Sequence, residues 1–265
     1  MLRRLVAVLW TITAAPCAFA GAWVQPVGQG LAIAQATYYS ADSYYDTRGS
    51  KQPQATYDKF ELQPYLEYGA TDWLTVGGSA YLQSVHQSGI DNYGIADPEF
   101  FARTRLWHDD KQVLSLQPYV KFGSRFADDS PPRGGSTSHD LELSALYGRN
   151  LHVVSDRDYL DTRIGYRLRD HGLSNQWRAD AALGLSVTDR IQLVPAVRAV
   201  VSTDLKDAAI FSESGDLDYD SVKAELAGLY HLNEQQWLQA TLFKDVAGVQ
   251  TGDGYGISLG FAQRF

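Results

Sequence analysis

The sequence predicts an all-β chain, a transmembrane antiparallel up-and-down β-barrel of about 12 strands, and three observations lead there. Apolar and polar residues alternate with a period of two along nearly the whole chain. Most of the alternating segments run about eleven residues or slightly more, which a tilted strand needs to cross a bilayer and which is about twice the usual soluble strand. The connections between segments alternate between short turns and long polar loops, the asymmetry of an outer-membrane barrel.

The first twenty residues stand apart from this pattern. Arg3 and Arg4 precede an apolar run from Leu5 to Ala15, and Ala18-Phe19-Ala20 supplies a small-x-small cleavage signal. The run is too short to span a bilayer as a helix, so residues 1–20 are expected to be a cleaved signal peptide and residues 21–265 the barrel domain. Pro16 before Cys17 argues against a lipid-attachment site. The single cysteine and the single methionine both leave with this segment, so the exported chain has no disulfide. Sixteen Tyr, six Trp, 23 Gly and 9 Pro favour strands and turns over helices. A net charge of −8, more negative still without Arg3 and Arg4, argues against a nucleic-acid partner.

Twelve segments follow, at residues 30–40, 57–68, 73–86, 97–107, 112–123, 139–149, 158–169, 176–187, 191–203, 219–230, 236–246 and 254–265. In the second, Phe60, Leu62, Pro64, Leu66 and Tyr68 alternate with Lys59, Glu61, Gln63, Tyr65 and Glu67. In the third, Leu74, Val76, Ala80 and Leu82 alternate with Trp73, Thr75, Ser79 and Tyr81. The fifth sets Leu114, Leu116, Pro118, Val120 and Phe122 against Ser115, Gln117, Tyr119 and Lys121. The seventh sets Leu160, Ile164, Tyr166 and Leu168 against Asp161, Arg163, Arg167 and Arg169. Each is a strand with one greasy and one wet face, and in a barrel the greasy face meets lipid. The short connections are Gly69 to Asp72, His108 to Lys111, Thr188 to Arg190 and His231 to Gln235; long ones include Ala41 to Thr56, Gly123 to Ser138 and Asp204 to Asp218.

The last segment ends the chain at Phe265, inside an alternating run. Barrel closure explains this, because pairing the last strand with the first leaves no open edge in lipid. With both termini periplasmic, Phe60, Phe122, Tyr166, Trp177 and Tyr255 form an outer aromatic belt and Tyr68, Tyr147, Tyr230 and Phe265 an inner one. Pro64, Pro118 and Pro195 lie mid-strand, where bulges are expected, and Lys244 on the lipid side should snorkel outward.

KFELQPYLEYGATDWLTVGG (Lys59–Gly78), followed by GIADPEFFARTRLW (Gly94–Trp107), resembles the strand, G-x-T-D turn, strand, then G-x-x-D-x-E-x-x-x-R-x-R-L pattern of proteobacterial outer-membrane barrels grouped under the meta-pathway of phenol degradation. Gly21-Ala22-Trp23 is similar to the mature start of the XagA-like group. A terminal strand ending in Phe265 also resembles the signal read by the barrel assembly machinery. Ala96 and Phe100 to Ala102 depart from the family's glycine and leucine. The resemblance implies a transporter-like barrel in the cell outer membrane for small molecules, aromatic ones among them; fold alone does not fix function.

Inward parity collects Lys59, Arg103, Arg105, Lys121, Arg163, Arg167, Arg169, Arg178, Arg198, Lys223 and Arg264 with Glu61, Glu67, Asp97, Glu99, Asp140, Glu142, Asp161, Asp180, Glu225 and Asp245. As a channel, these charges orient a passing solute; as a filled scaffold, they form a salt-bridge network that holds the barrel. Asp97, Glu99, Arg103 and Arg105, both signs on one strand, are the expected constriction. A lipid hydrolase would need a serine, a histidine and an orienting residue, for which Ser84, His86 and Asn92 are the candidates, too common a grouping to be specific. Ser138, His139 and Asp140 alternate in direction and cannot converge as a triad. An adhesive or structural surface barrel is the third reading, with Asp204, Asp207, Glu213, Asp216 and Asp218 in one acidic loop that lacks a calcium-loop spacing. No enzyme activity, cofactor or metal is expected. The expected partners are outer-membrane lipid and lipopolysaccharide, the assembly machinery and a small solute, around a monomer.

Overall fold

The computed structural model describes residues 21–124, 126, 132, 134–205 and 218–265. Alternation by two resolves into thirteen strands: β1 (Gly30–Tyr45), β2 (Lys51–Gly69), β3 (Leu74–Gln87), β4 (Ile90–His108), β5 (Gln112–Lys121), β6 (Asp140–Leu151), β7 (Asp158–Arg169), β8 (Gln176–Ser186), β9 (Ile191–Ser202), β10 (Asp220–His231), β11 (Gln236–Val249), β12 (Thr251–Gly252) and β13 (Tyr255–Arg264). All but the two-residue β12 run antiparallel to their chain neighbours in one closed ring. Closure is made by β13 against β1, from Leu31↔Arg264 to Ser40↔Tyr255. Gly30 and Phe265 exchange both backbone bonds at 2.8 and 3.0 Å, so the chain's last residue completes the ladder. Both described chain ends lie at one end of the barrel, here the termini end; the other is the loop end.

Two connections expected to be loops are largely strand. β1 and β2 continue as a hairpin past Ser43↔Pro53 to Tyr45↔Lys51, turning only at Asp46 to Ser50, and β4 starts at Ile90. Beyond the bilayer a ribbon with two polar faces is as acceptable as a loop, so polarity there does not break pairing. Tyr44 and Tyr45 also pair with β12, a strand too short to show a period. The residues of the expected signal peptide, and Lys206, Asp207, Glu213 and Asp216 of the acidic loop, lie outside the described residues.

The expected bulges at the three prolines are absent. Pro64, Pro118 and Pro195 each pair in register with one neighbour, at Ala34, Leu143 and Leu226. Toward the other neighbour the ladder skips two residues and resumes unshifted, between Leu62↔Leu82 and Tyr65↔Ser79 for Pro64. The missing N–H weakens one ladder without demanding an extra residue. The shifts lie instead at Ala41/Ser43, Ser79/Tyr81, Arg105/Trp107 and Val222/Lys223.

The outer surface carries the greasy face. Leu62, Leu66, Leu82, Leu143, Ile164, Val197, Leu226, Leu242, Ile257 and Leu259 are all exposed, far more apolar surface than a water-soluble monomer shows. Tyr166 packs on Trp177 with ring centroids 4.9 Å apart, and Phe60, Trp177, Tyr255, Tyr68, Tyr230 and Phe265 are exposed at the levels expected of the two belts. Lys244 leans toward the loop end, its Nζ 3.5 Å from Asp253.

Candidate functional site: the lumen and its filled end

The segment ahead of β1 runs inside the barrel. Ala22 is fully buried; its N–H donates to Asp161 Oδ1 at 3.3 Å and its carbonyl accepts from Ser115 Oγ at 2.6 Å. The Gln25 N–H donates to Thr75 Oγ1 at 2.7 Å and its side-chain amide to Glu67 Oε2 at 2.8 Å. Arg103 fixes the middle of the segment, donating to the Trp23 carbonyl at 3.0 Å, to Gln117 Oε1 at 3.0 Å and to Glu67 Oε1 at 2.9 Å. Tyr65 adds a short hydrogen bond to the same carboxylate. An irregular backbone inside a barrel needs such partners from the walls, and β2, β3, β4, β5 and β7 provide them.

Apolar packing completes the filling. Trp23 sits edge-on to Tyr159 at 6.2 Å, beside a cluster of Val194, Leu229, Trp237, Leu31 and Ile33. Gly148 is required opposite its ring, because a Cβ there would lie 2.5 Å from the indole. The termini end of the lumen is therefore a packed core rather than a water-filled bore.

Above it a cavity of about 660 Å³ opens, lined by residues of eleven of the twelve long strands. Arg163, Arg167, Arg178 and Arg198 form one wall; Glu61, Glu99, Tyr57, Tyr65 and Tyr81 lie on strands across the ring. The acids that balance the arginines lie behind them. Glu142, 1% exposed, accepts from Arg167 Nε at 2.8 Å and is 3.7 Å from both Arg163 and Arg178. It reaches Arg178 across Gly165, where a Cβ would meet Glu142 Oε1 at 2.8 Å. Asp140 takes Lys121 at 2.9 Å and Arg167 at 3.1 Å.

At the loop end Asp253 is a hub, 2.8 Å from Lys51 Nζ and accepting from Ser43 and Tyr45 at 3.1 and 3.3 Å. Burial pushes its pKa up, but the bonds from Lys51 and Ser43 and the charge of Lys244 outweigh it, and the net shift is downward. His139, Asp170 and His171 bring three ligand atoms within 4.8 Å of one another on the exposed surface there, a group that could hold a metal ion.

The residues expected at a constriction do not form one cluster. Asp97 sits in the bulge of β4 with φ of 40° and accepts from the N–H groups of Ser124 and Ser136, tying down the connection between β5 and β6. Glu99 lines the cavity and accepts from Ser79 and Tyr81 at 3.1 and 2.9 Å. Arg103 belongs to the filled end, and Arg105 lies beyond it, half-buried beside the last bulge of β4. Eight residues of extended strand cover most of the bilayer's thickness, so one strand cannot concentrate four side chains at one level. Glu67 and Asp161 face the N-terminal segment, Lys121 and Glu142 lie in the wall, and Glu61, Arg163, Arg167 and Arg178 face the cavity. Alternation missed Ala22 to Gln25, Tyr159 and Trp237; Gly21-Ala22-Trp23 was the available signal. The hydrolase candidates do not assemble: Ser84 is exposed on the outer face, His86 engages Asp91 at 2.7 Å, and Asn92 donates to the Pro132 carbonyl.

A closed ring of twelve long tilted strands, apolar outside and polar within, defines the outer-membrane β-barrel class of fold. The outer membrane channel from Pseudomonas putida F1 has this fold, with a TM-score of 0.76 at 15% identity over 94% of this chain and 100% of that one. The NanC porin gives 0.54 at 9% identity, over 87% and 98% of the two chains. The KdgM porin, solved in complex with disordered oligogalacturonate, gives 0.52 at 8% identity, over 88% and 99%. No family model matches the chain, and no curated protein sequence does.

Proposed function

We propose that this chain is a monomeric channel of a Gram-negative outer membrane that passes small solutes passively, with the N-terminal segment closing the periplasmic end of its lumen. The observation that carries this reading is the cavity of about 660 Å³ inside the ring, roomy enough for a small molecule, whose lining residues Tyr65 and Gln117 bond to the Glu67 and Arg103 that hold the N-terminal segment. Passage requires residues Ala22 to Gln25 to leave their seat. On this reading residues 1–20 are a signal peptide removed on export, and Phe265 takes part in recognition by the assembly machinery. The long loops would then meet lipopolysaccharide.

Single-channel recording in planar bilayers tests it. The parent should give small, flickering events, and a variant lacking Ala22 to Pro26 should give larger and longer ones. A closed scaffold is favoured by the buried Arg103–Glu67 pair and would be shown by silence from both. The mass of the purified chain's N-terminus reads the cleavage site directly.

A further inference from the structure

The cavity is not electrically symmetric. Among the described residues its lining carries six bases, Lys59, Arg163, Arg167, Arg178, Arg198 and Lys223, and four acids, Glu61, Glu99, Glu225 and Asp245. Three of those acids are paired with bases, Glu61 with Lys59 at 3.1 Å, Glu225 with Arg198 at 2.8 Å and Asp245 with Lys223 at 3.9 Å, while Glu99 accepts from Ser79 and Tyr81. The lining of β7, β8 and β9 carries four arginines and no acid. Arg178 is the least engaged of them. Among the described residues its one ion-pair contact is the 3.7 Å approach of Nε to Glu142, and that buried Nε has no hydrogen-bond acceptor there.

Tyr219, just ahead of β10, senses this wall. Burial pushes its phenol up, yet the charges of Arg178, Arg167, Arg169 and Lys121 more than offset that and the net shift is downward. The guanidinium charges that act on Tyr219 act in the same sense on a carboxylate held against the wall. Arg167 stacks over Tyr119 with 4.8 Å to the ring centroid, so an aromatic face stands beside the guanidinium groups. Phe101, Tyr81 and Tyr57 extend that aromatic surface along the cavity.

We propose that the arginine wall, centred on Arg178, binds the carboxylate of small aromatic acids, whose ring lies against Tyr119 and Tyr219. A planar guanidinium fork matches a carboxylate, and the rings beside it exclude water from the pair. The proposal rests on the channel reading for its biological use, but not for its test.

Calorimetry with the purified full chain in detergent, titrated with benzoate and with benzamide, needs no conduction. Benzoate should bind about tenfold more tightly than its neutral isostere, the usual worth of a charged hydrogen bond. Arg178→Gln should erase that preference and Arg178→Lys should keep part of it, both variants remaining heat-modifiable on gels. Equal binding of the two ligands, no binding of benzoate, or a preference unchanged in Arg178→Gln overturns the proposal. Benzoate binding without conductance would refute the channel and leave this site standing; conductance without benzoate binding would do the reverse.

Discussion

Arg103 on β4 and Glu67 on β2 meet at 2.9 Å with side chains 1% and 4% exposed, and the same guanidinium holds the carbonyl of Trp23. The pair joins the barrel wall to the segment that fills it. Two charges taken this far from water are tolerated because Gln25, Tyr65 and Gln117 occupy their remaining hydrogen-bonding positions.

Arg103→Met should therefore destabilise the barrel by about 3–5 kcal/mol, since it strands Glu67 as a buried, unpaired carboxylate. Adding Glu67→Gln should recover part of the loss. Urea unfolding followed by tryptophan fluorescence measures both, and a double variant no more stable than the single one would show that the two residues are not coupled.

Asp161 is nearly buried and receives the N–H of Ala22. Cleavage after Ala20 would place an ammonium on Gly21, one residue before the N–H that this carboxylate holds, and the two charges would attract. Asp161→Asn should then loosen the segment and raise the open probability in planar bilayers. A variant that gates like the parent would place the ammonium elsewhere.

The seat of Trp23 can be tested from the opposite wall. Gly148→Val should push the indole from its position, since even a Cβ there falls 2.5 Å from the ring. Larger conductance is expected with heat-modifiability retained, because the change meets a side chain rather than the β5 or β7 ladders. Unaltered currents would show that Trp23 does not gate.

The faces of β11 give a paired test of membrane orientation. Leu242→Arg, on the outer face at 60% exposure, should cost about 2–4 kcal/mol near the bilayer midplane and lower the yield of folded barrel. Thr241→Arg, one residue away and turned into the cavity, should assemble far better. Equal yields would reverse the assignment of inside and outside.

Acid should release the loop-end hairpin. The folded pKa of Asp253 is depressed, so its contribution is present above the ordinary carboxylate value of about 3.9 and is lost as pH falls through the lower folded value. Hydrogen exchange at Tyr45 and Gly252 should accelerate as pH drops below that value, after correction for intrinsic rates. In Asp253→Asn the exchange should be fast throughout and the acid step absent.

The ring is legible in the order of the residues. Alternation fixes which side chain faces lipid, because a one-residue slip would turn Leu62, Leu66 and Ile164 inward and Glu61 and Arg163 into hydrocarbon. The alternating run from Tyr255 to Phe261 also reads as a strand, and the structure pairs it with β1 to close the ring. Charge parity likewise put Arg163, Arg167 and Arg178 inside. Tertiary structure alone decided what those inward residues do. Parity gives a direction and no height, so it grouped Asp97 with Arg103 although they serve opposite ends of one strand. The burial of Ala22 and Trp23 left no period to read, because a segment held by wall side chains obeys the wall's geometry rather than its own repeat. Which arginines face solvent and which acids stand behind them follows from contacts between β6, β7 and β8, where Gly165 lets Glu142 cross to Arg178; no spacing along the chain encodes that reach.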